Sequence, residues 1–465
     1  MKRLLASLLL STASLPALAA APALPAGLGG DAQEQEETDS ASSLPSLPMG
    51  LSAASDEEAS TTDKPEKKAS GRILPENISG FIEGRVGVRT QDDPHEKQMS
   101  IGETRLQLEG EWEAGPAVFS VTSDFIFDPV EDDYAVDLET GRGAIDLREA
   151  NVVLRPTSFM DIKAGRQILT WGTGDLVFIN DMFPKDYRSF FIGRDDEYLK
   201  APSDAVRASF FTRLFNLDVA YTPRFDPDRY IDGSRISYFN PLLGERAGRN
   251  AVMDPLTPDE WFDDDEIAAR ASRNIGAYEA AVYAYRGYWK SPQGMTALGL
   301  PYFPELSVYG ASLRGPVAGG IGNMEVGYYD SREDRSGVNP LVPNSQFRYL
   351  IGYEREAMTN LTVGVQYYAE RTLDYDLSPS TSDRTRHLVT VRLTKLAMNQ
   401  NLTLSLFNFW SPNQHDGYVR SRASYKLTDD WLLEGGFNIF YGKTQSFFGQ
   451  FEDNTNVFVG ARRSF

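Results

Sequence analysis

From residue 80 onward, apolar and polar positions alternate with period two, in segments of roughly ten residues, the length of a tilted membrane strand. In ISGFIEGRVGVRT one face carries Ile82, Gly84, Val86 and Val88, and the other carries Phe81, Glu83, Arg85, Gly87 and Arg89. NLTLSLFNFW sets Leu402, Leu404 and Leu406 against Thr403, Ser405 and Phe407. GYVRSRASYKL sets Val419, Ala423, Tyr425 and Leu427 against Tyr418, Arg420, Arg422, Ser424 and Lys426. The pattern predicts strands near 80–90, 99–113, 117–128, 144–155, 159–168, 204–213, 215–223, 265–273, 276–288, 305–314, 319–330, 345–355, 360–371, 384–396, 400–410, 416–427, 430–442 and 454–465. About eighteen strands is an even number, as single-chain bacterial barrels require.

The connections sort by parity. AGP, LRPTSF, TRLFN, SRNIG, RGPVAGG and LTDD are short and fall on one side, and the segments starting at Thr170, Arg224, Ser291 and Ser331 fall on the other. Strands running toward the long connections end in aromatic residues: Tyr285, Tyr288 and Trp289; Tyr328 and Tyr329; Tyr367 and Tyr368; Phe409 and Trp410; Phe440 and Tyr441. Rings collect where lipid meets water, so the expectation is an aromatic girdle. The fold class expected is all-β: a closed antiparallel transmembrane β-barrel of about 18 strands, with short periplasmic turns and long extracellular loops, preceded by a disordered tail. The last strand must then close on the first, because an open edge has no partner in lipid.

The start of the chain changes the compartment. Lys2 and Arg3 precede the apolar run LLASLLLSTASL and then PALA, the form of a secretory signal peptide cut after Ala19. Residues 20–75 are polar and acidic and read as a disordered periplasmic tail. Two apolar islands interrupt it, LPAGL and LPMGL, which are either incidental or a docking motif for a periplasmic partner. Residues 76–465 form the barrel domain. The 465 residues hold 46 Lys+Arg against 66 Asp+Glu, a formal charge of −20, which argues against nucleic acid as a partner. With no cysteine and three scattered histidines, His95, His387 and His415, the sequence offers no thiolate, no metal-ligand spacing and no cofactor site. His387 has no serine two residues away, so the chain reads as no enzyme.

AGRQILTWGTGDLVFINDMFPKDYR, YGASLRGPVAGGIGNMEVGYYDSRED and FFGQFEDNTNVFVGARRSF resemble an uncharacterised family of large Gram-negative outer-membrane barrels, akin to alginate-export porins. Gly165, Arg166, Gln167, Trp171 and Gly172 match that family's strand-end pattern. The resemblance spans roughly residues 80–465 and implies a porin-type barrel without naming a solute. It also implies that the terminal Phe465 is read by the barrel-assembly machinery, with Arg463 departing from the usual aromatic two residues earlier.

If the apolar faces meet lipid, the pore wall receives Glu83, Arg85, Glu103, Arg105, Gln107, Glu109, Arg348, Glu354, Gln366, Arg392, Arg420, Arg422 and Glu434. Arginines on late strands facing acids on early ones imply a transverse field that orients ionic solutes. The segment after Thr170 is rich in aromatics for a loop. Trp171, Phe183 and Tyr187 either fold inward to narrow the pore or pack at the rim. The acids of WFDDDE and its neighbours are expected to be solvated, with lipid and lipopolysaccharide as surroundings. The function expected is passive passage of small hydrophilic solutes; the alternative is a sheath for an electron-transfer conduit or an export system.

Overall fold

The computed structural model describes Pro75, residues 77–375 and residues 383–465; the expected signal peptide and nearly all of the tail lie outside them. Eighteen strands form one sheet: β1 (Ile78–Arg89), β2 (Met99–Ala114), β3 (Ala117–Phe127), β4 (Ile145–Thr157), β5 (Met160–Ile168), β6 (Pro202–Phe211), β7 (Asn216–Thr222), β8 (Glu266–Ile275) and β9 (Tyr278–Tyr288) make the first half. The second half is β10 (Glu305–Val317), β11 (Gly320–Ser331), β12 (Gln346–Met358), β13 (Leu361–Thr372), β14 (Thr385–Ala397), β15 (Leu402–Ser411), β16 (Asp416–Lys426), β17 (Trp431–Tyr441) and β18 (Asn456–Ser464). Each pairs antiparallel with its chain neighbours. β18 closes on β1 from Phe81 opposite Ser464 to Arg89 opposite Asn456. Phe465 N–H donates to the Gly80 carbonyl at 3.0 Å, extending the seam by one more bond.

Turns of two to four residues between β2 and β3, β4 and β5, and so on to β16 and β17 share one end of the barrel, where β1 also begins. The opposite end carries connections as long as 223–265. Asn360 supplies the left-handed residue of the β12–β13 turn, at φ 60°, and Asn401 is the last residue of the β14–β15 turn.

The wall is built inside out. On β1, Glu83, Arg85 and Arg89 are buried while Ile82, Val86 and Val88 are exposed. The same reversal holds round the ring, with Val282, Val326, Ile351, Val365 and Val459 on the outer face. Trp112, Phe119, Tyr278, Trp431 and Phe465 ring the outside near the short turns, and Phe127, Tyr309, Tyr328, Phe347 and Trp410 ring it near the long loops. A water-soluble barrel would bury the valines and expose the arginines. Two aromatic belts bounding an apolar band are the surface of a barrel that spans a bilayer.

One feature of the girdle differs from expectation. Successive residues of a strand point to opposite faces, so a pair of adjacent aromatics cannot serve one belt. Tyr328 and Trp410 face outward, whereas Tyr329, Phe409, Phe440, Tyr368 and Tyr285 are buried inside. Each pair straddles the wall.

Candidate functional site

The lumen wall is charged along its length. Glu103, Arg105 and Gln107 of β2 are buried on the inner face, and Glu109 continues that face toward the short-turn end, where it is exposed. Arg348 and Glu354 of β12, Gln366 of β13, Arg392 of β14, Arg420 and Arg422 of β16 and Glu434 of β17 share the inner face. The wall residues do not stand free. Arg85 meets Glu83 at 3.0 Å and Glu434 at 2.6 Å. Arg105 pairs with Glu103 at 2.7 Å and also with Asp124. Arg348 lies 3.2 Å from Glu370 and stacks 3.8 Å from the Tyr329 ring.

The segment 169–201, between β5 and β6, reaches strands far from its own. Asp175 stands 2.9 Å from Arg392 of β14, which lies nine places round a ring of eighteen and so directly opposite β5. Its backbone is gripped twice by Gln366: the Asp175 N–H donates to Oε1 at 2.8 Å, and Nε2 donates to the Asp175 carbonyl at 2.7 Å. Glu325 of β11 accepts from the N–H groups of Thr173 and Gly174 and from Asn180 Nδ2. Tyr329 O–H donates to the Ile179 carbonyl at 2.5 Å. Further along, Asn456 of β18 donates to the Phe191 carbonyl, Arg85 of β1 to the Gly193 carbonyl, and Arg420 of β16 to the Arg194 carbonyl. Arg194 itself donates to Glu103 of β2 at 2.9 Å. A segment that touches β1, β2, β11, β13, β14, β16 and β18 runs through the lumen.

Its local structure follows from a few residues. A single turn of helix, α1 (Tyr187–Ile192), starts where Asp186 accepts from the Ser189 N–H at 2.8 Å. It stops at Gly193, whose φ of 88° and close approach to the Phe458 ring leave no room for a Cβ. Phe190 and Phe191 pack edge-on against Tyr418, at centroid distances of 5.7 and 5.3 Å, and Phe191 against Phe440 at 5.0 Å. Trp171 meets Phe183 edge-on at 4.8 Å, and Tyr187 is fully buried. Phe440, the inward half of one aromatic pair, thus meets an aromatic residue of the crossing segment.

The arginines of the late strands find their counter-charges here. Asp195 stands 3.2 Å from Arg422, Asp196 pairs with Arg420, and Asp175 with Arg392. Arg462, on the last strand, adds contacts to Glu83 at 2.9 Å and to Asp195 at 3.8 Å. Buried ion pairs are retained when geometry and further hydrogen bonds repay desolvation, and losing one partner costs ~3–5 kcal/mol.

A second long segment, 223–265, spans the long-loop end. Arg229 forms two 2.8 Å bonds with Asp146 of β4, and Arg235 meets Asp128 at 2.5 Å and Glu131 at 2.6 Å. Asn454, just before β18, donates to the Ser237 carbonyl at 2.9 Å. Under this cover burial pushes the Glu96 carboxyl up to about 7, opposed by Arg89 and Arg249, the latter donating to it at 3.1 Å. Trp261 and Phe262, at the acidic tip, are exposed.

Glu325, Arg462, Arg194 and the acids Asp175, Asp195 and Asp196 were absent from the expected set. A signal for the acids was present: the crossing segment carries Asp175, Asp195 and Asp196 among its aromatic residues, opposite in sign to the arginines of the late strands. Among the described residues no cluster of histidines and acids has the form of a metal site.

Comparison with solved structures returned outer-membrane porins. No family model and no curated protein matches the chain. OccAB1 of Acinetobacter baumannii aligns with a TM-score of 0.48 and 11% identity over 86% of this chain and 99% of that one. OccD3 (OpdP) of Pseudomonas aeruginosa aligns with a TM-score of 0.47 and 9% identity over 84% of this chain and 92% of that one. OmpT lacking a loop, an outer membrane protein of Vibrio cholerae, aligns with a TM-score of 0.39 and 11% identity over 83% of this chain and 98% of that one.

Proposed function

We propose that the chain is a passive channel of the porin type in the outer membrane of a Gram-negative bacterium, passing small hydrophilic solutes. The long loops face outward and the tail the periplasm. The observation that carries the reading is the inverted wall: an apolar, belt-bounded exterior around a lumen of arginines, acids and amides. Such a lumen is wetted, since arginines facing water cost little and facing lipid cost ~2–4 kcal/mol each near the midplane.

In this reading the segment 169–201 sets the bore, because it lies across the lumen from β5 to β14. Arg348, Arg392, Arg420 and Arg422 stand on the inner faces of the late strands. Three of them, Arg392, Arg420 and Arg422, hold the segment through Asp175, Asp196 and Asp195, and so set positive groups beside negative ones. Opposed rows of charge orient dipolar and zwitterionic solutes as they pass. A sheath around a partner protein is the weaker reading, because the inner groups that would receive a partner are engaged by the chain's own segment.

Swelling of proteoliposomes in sugars of increasing size tests the proposal. Uptake is expected for the smallest sugars and to fall steeply with size. Swelling no faster than protein-free vesicles for every sugar contradicts it.

A further inference from the structure

One basic cluster lies on the outside of the barrel, where neither the seam nor the lumen uses it. Arg371, at the long-loop end of β13, and His387, at that end of β14, point outward by strand alternation, as Tyr368 and Leu388 beside them are buried inward. Ala369 stands opposite His387 on one side and Tyr349 on the other, while Arg371 stands opposite Phe347. Ala369 also faces outward, yet it is fully buried between its cross-strand neighbours Tyr349 and His387.

Tyr367 O–H and His387 Nδ1 lie 2.6 Å apart with their rings stacked at 5.9 Å, and Tyr349 adds a third ring 6.1 Å from Tyr367. This bond fixes the imidazole and leaves Nε2 directed away from Tyr367. Arg371 is exposed and, among the described residues, has no carboxylate partner. Most of the barrel's other arginines have one.

The depth is informative. Phe347 and Trp410, members of the belt near the long loops, lie on the strands flanking this pair. An exposed guanidinium and an imidazole at that level sit among lipid headgroups, where phosphate is the abundant anion. A guanidinium fork matches phosphate oxygens in two bonds, and the ring stack beneath supplies an apolar seat for what the phosphate is attached to.

We propose that Arg371, His387, Tyr367 and Tyr349 form a binding site for the phosphorylated headgroup of a lipid in the leaflet on the long-loop side. The site rests on the reading of the chain as a membrane barrel but not on solute passage.

The test uses the whole protein in phosphatidylcholine nanodiscs with lipid A added as the probe, retained lipid being read by native mass spectrometry. Wild type is expected to hold one lipid A about tenfold more tightly than its dephosphorylated form, and R371Q/H387Q to lose that preference. Excess inorganic phosphate should not displace the lipid. Y367F, which keeps both basic groups, should weaken retention less than the double variant. Equal retention by wild type and R371Q/H387Q, or equal retention of the dephosphorylated lipid, overturns the site. Displacement by inorganic phosphate overturns the lipid assignment in favour of a plain anion site. A wild-type protein that does not enter the nanodisc contradicts the membrane reading itself, whereas one that enters and shows no preference contradicts only this site.

Discussion

Arg420 and Arg422 occupy successive inward positions of β16, and each meets an acid of the crossing segment, Asp196 and Asp195. Replacing both by Gln removes two positive charges, takes Asp196 from its partner and leaves Asp195 only Arg462, 3.8 Å away. The reversal potential of R420Q/R422Q should therefore move toward cation preference at low salt. The shift should shrink as salt shortens the Debye length, ~10 Å at 0.1 M. An unchanged reversal potential would make these arginines pure anchors. At the long-loop end, Glu96 has its carboxyl raised to about 7 from the ordinary 4.5 by burial. Between those values the folded chain keeps a proton that the unfolded chain has lost, so Glu96 subtracts stability as pH rises through that window. Glu96→Gln should match wild type in thermal unfolding near pH 4 and melt several degrees higher at pH 8. The opposite trend would mean that Arg249 outweighs the burial. Both pairs were legible only in half. The arginines show in the strand alternation, but their partners lie in a segment whose path the alternation does not describe.

At the scale of elements, the strands were readable because a slip of one residue turns every side chain to the wrong face. Boundaries agree to within a few residues from β1 to β18, and even β8, EIAARASRNI, shows in the parity of the turns. The segment 169–201 was not readable in the same way. An apolar run states that shelter is needed, and both the rim and the lumen offer it. What decides is the set of bonds at its far end: Gln366 to the Asp175 backbone, Glu325 to Thr173, Gly174 and Asn180. Removing a buried partner costs ~1–3 kcal/mol per group left unsatisfied. Gln366→Leu combined with Glu325→Leu should free this end without unfolding the barrel. The expected result is noisier, larger conductance and new protease cleavage near Gly174, with strand content by circular dichroism unchanged. Conductance steps as quiet and small as wild type would show that the segment is held elsewhere.

At the scale of the whole molecule, the closed ring leaves no strand edge and its apolar exterior demands lipid. β1 begins at the short-turn end, and the proposed orientation puts the acidic tail on the periplasmic side with the short turns. Protease added to intact cells should leave the tail, residues 31–72, uncut and clip only the long loops; cleavage of the tail from outside would invert the orientation. In the proposed channel a water-filled lumen is narrowed by the chain's own crossing segment. Single-channel conductance in a planar bilayer tests it most directly, comparing wild type with a variant in which residues 174–196 are replaced by a short Gly-Ser bridge. Discrete ohmic steps are predicted for both, several-fold larger for the shortened chain. Equal steps from the two proteins, or no steps from either, would contradict it.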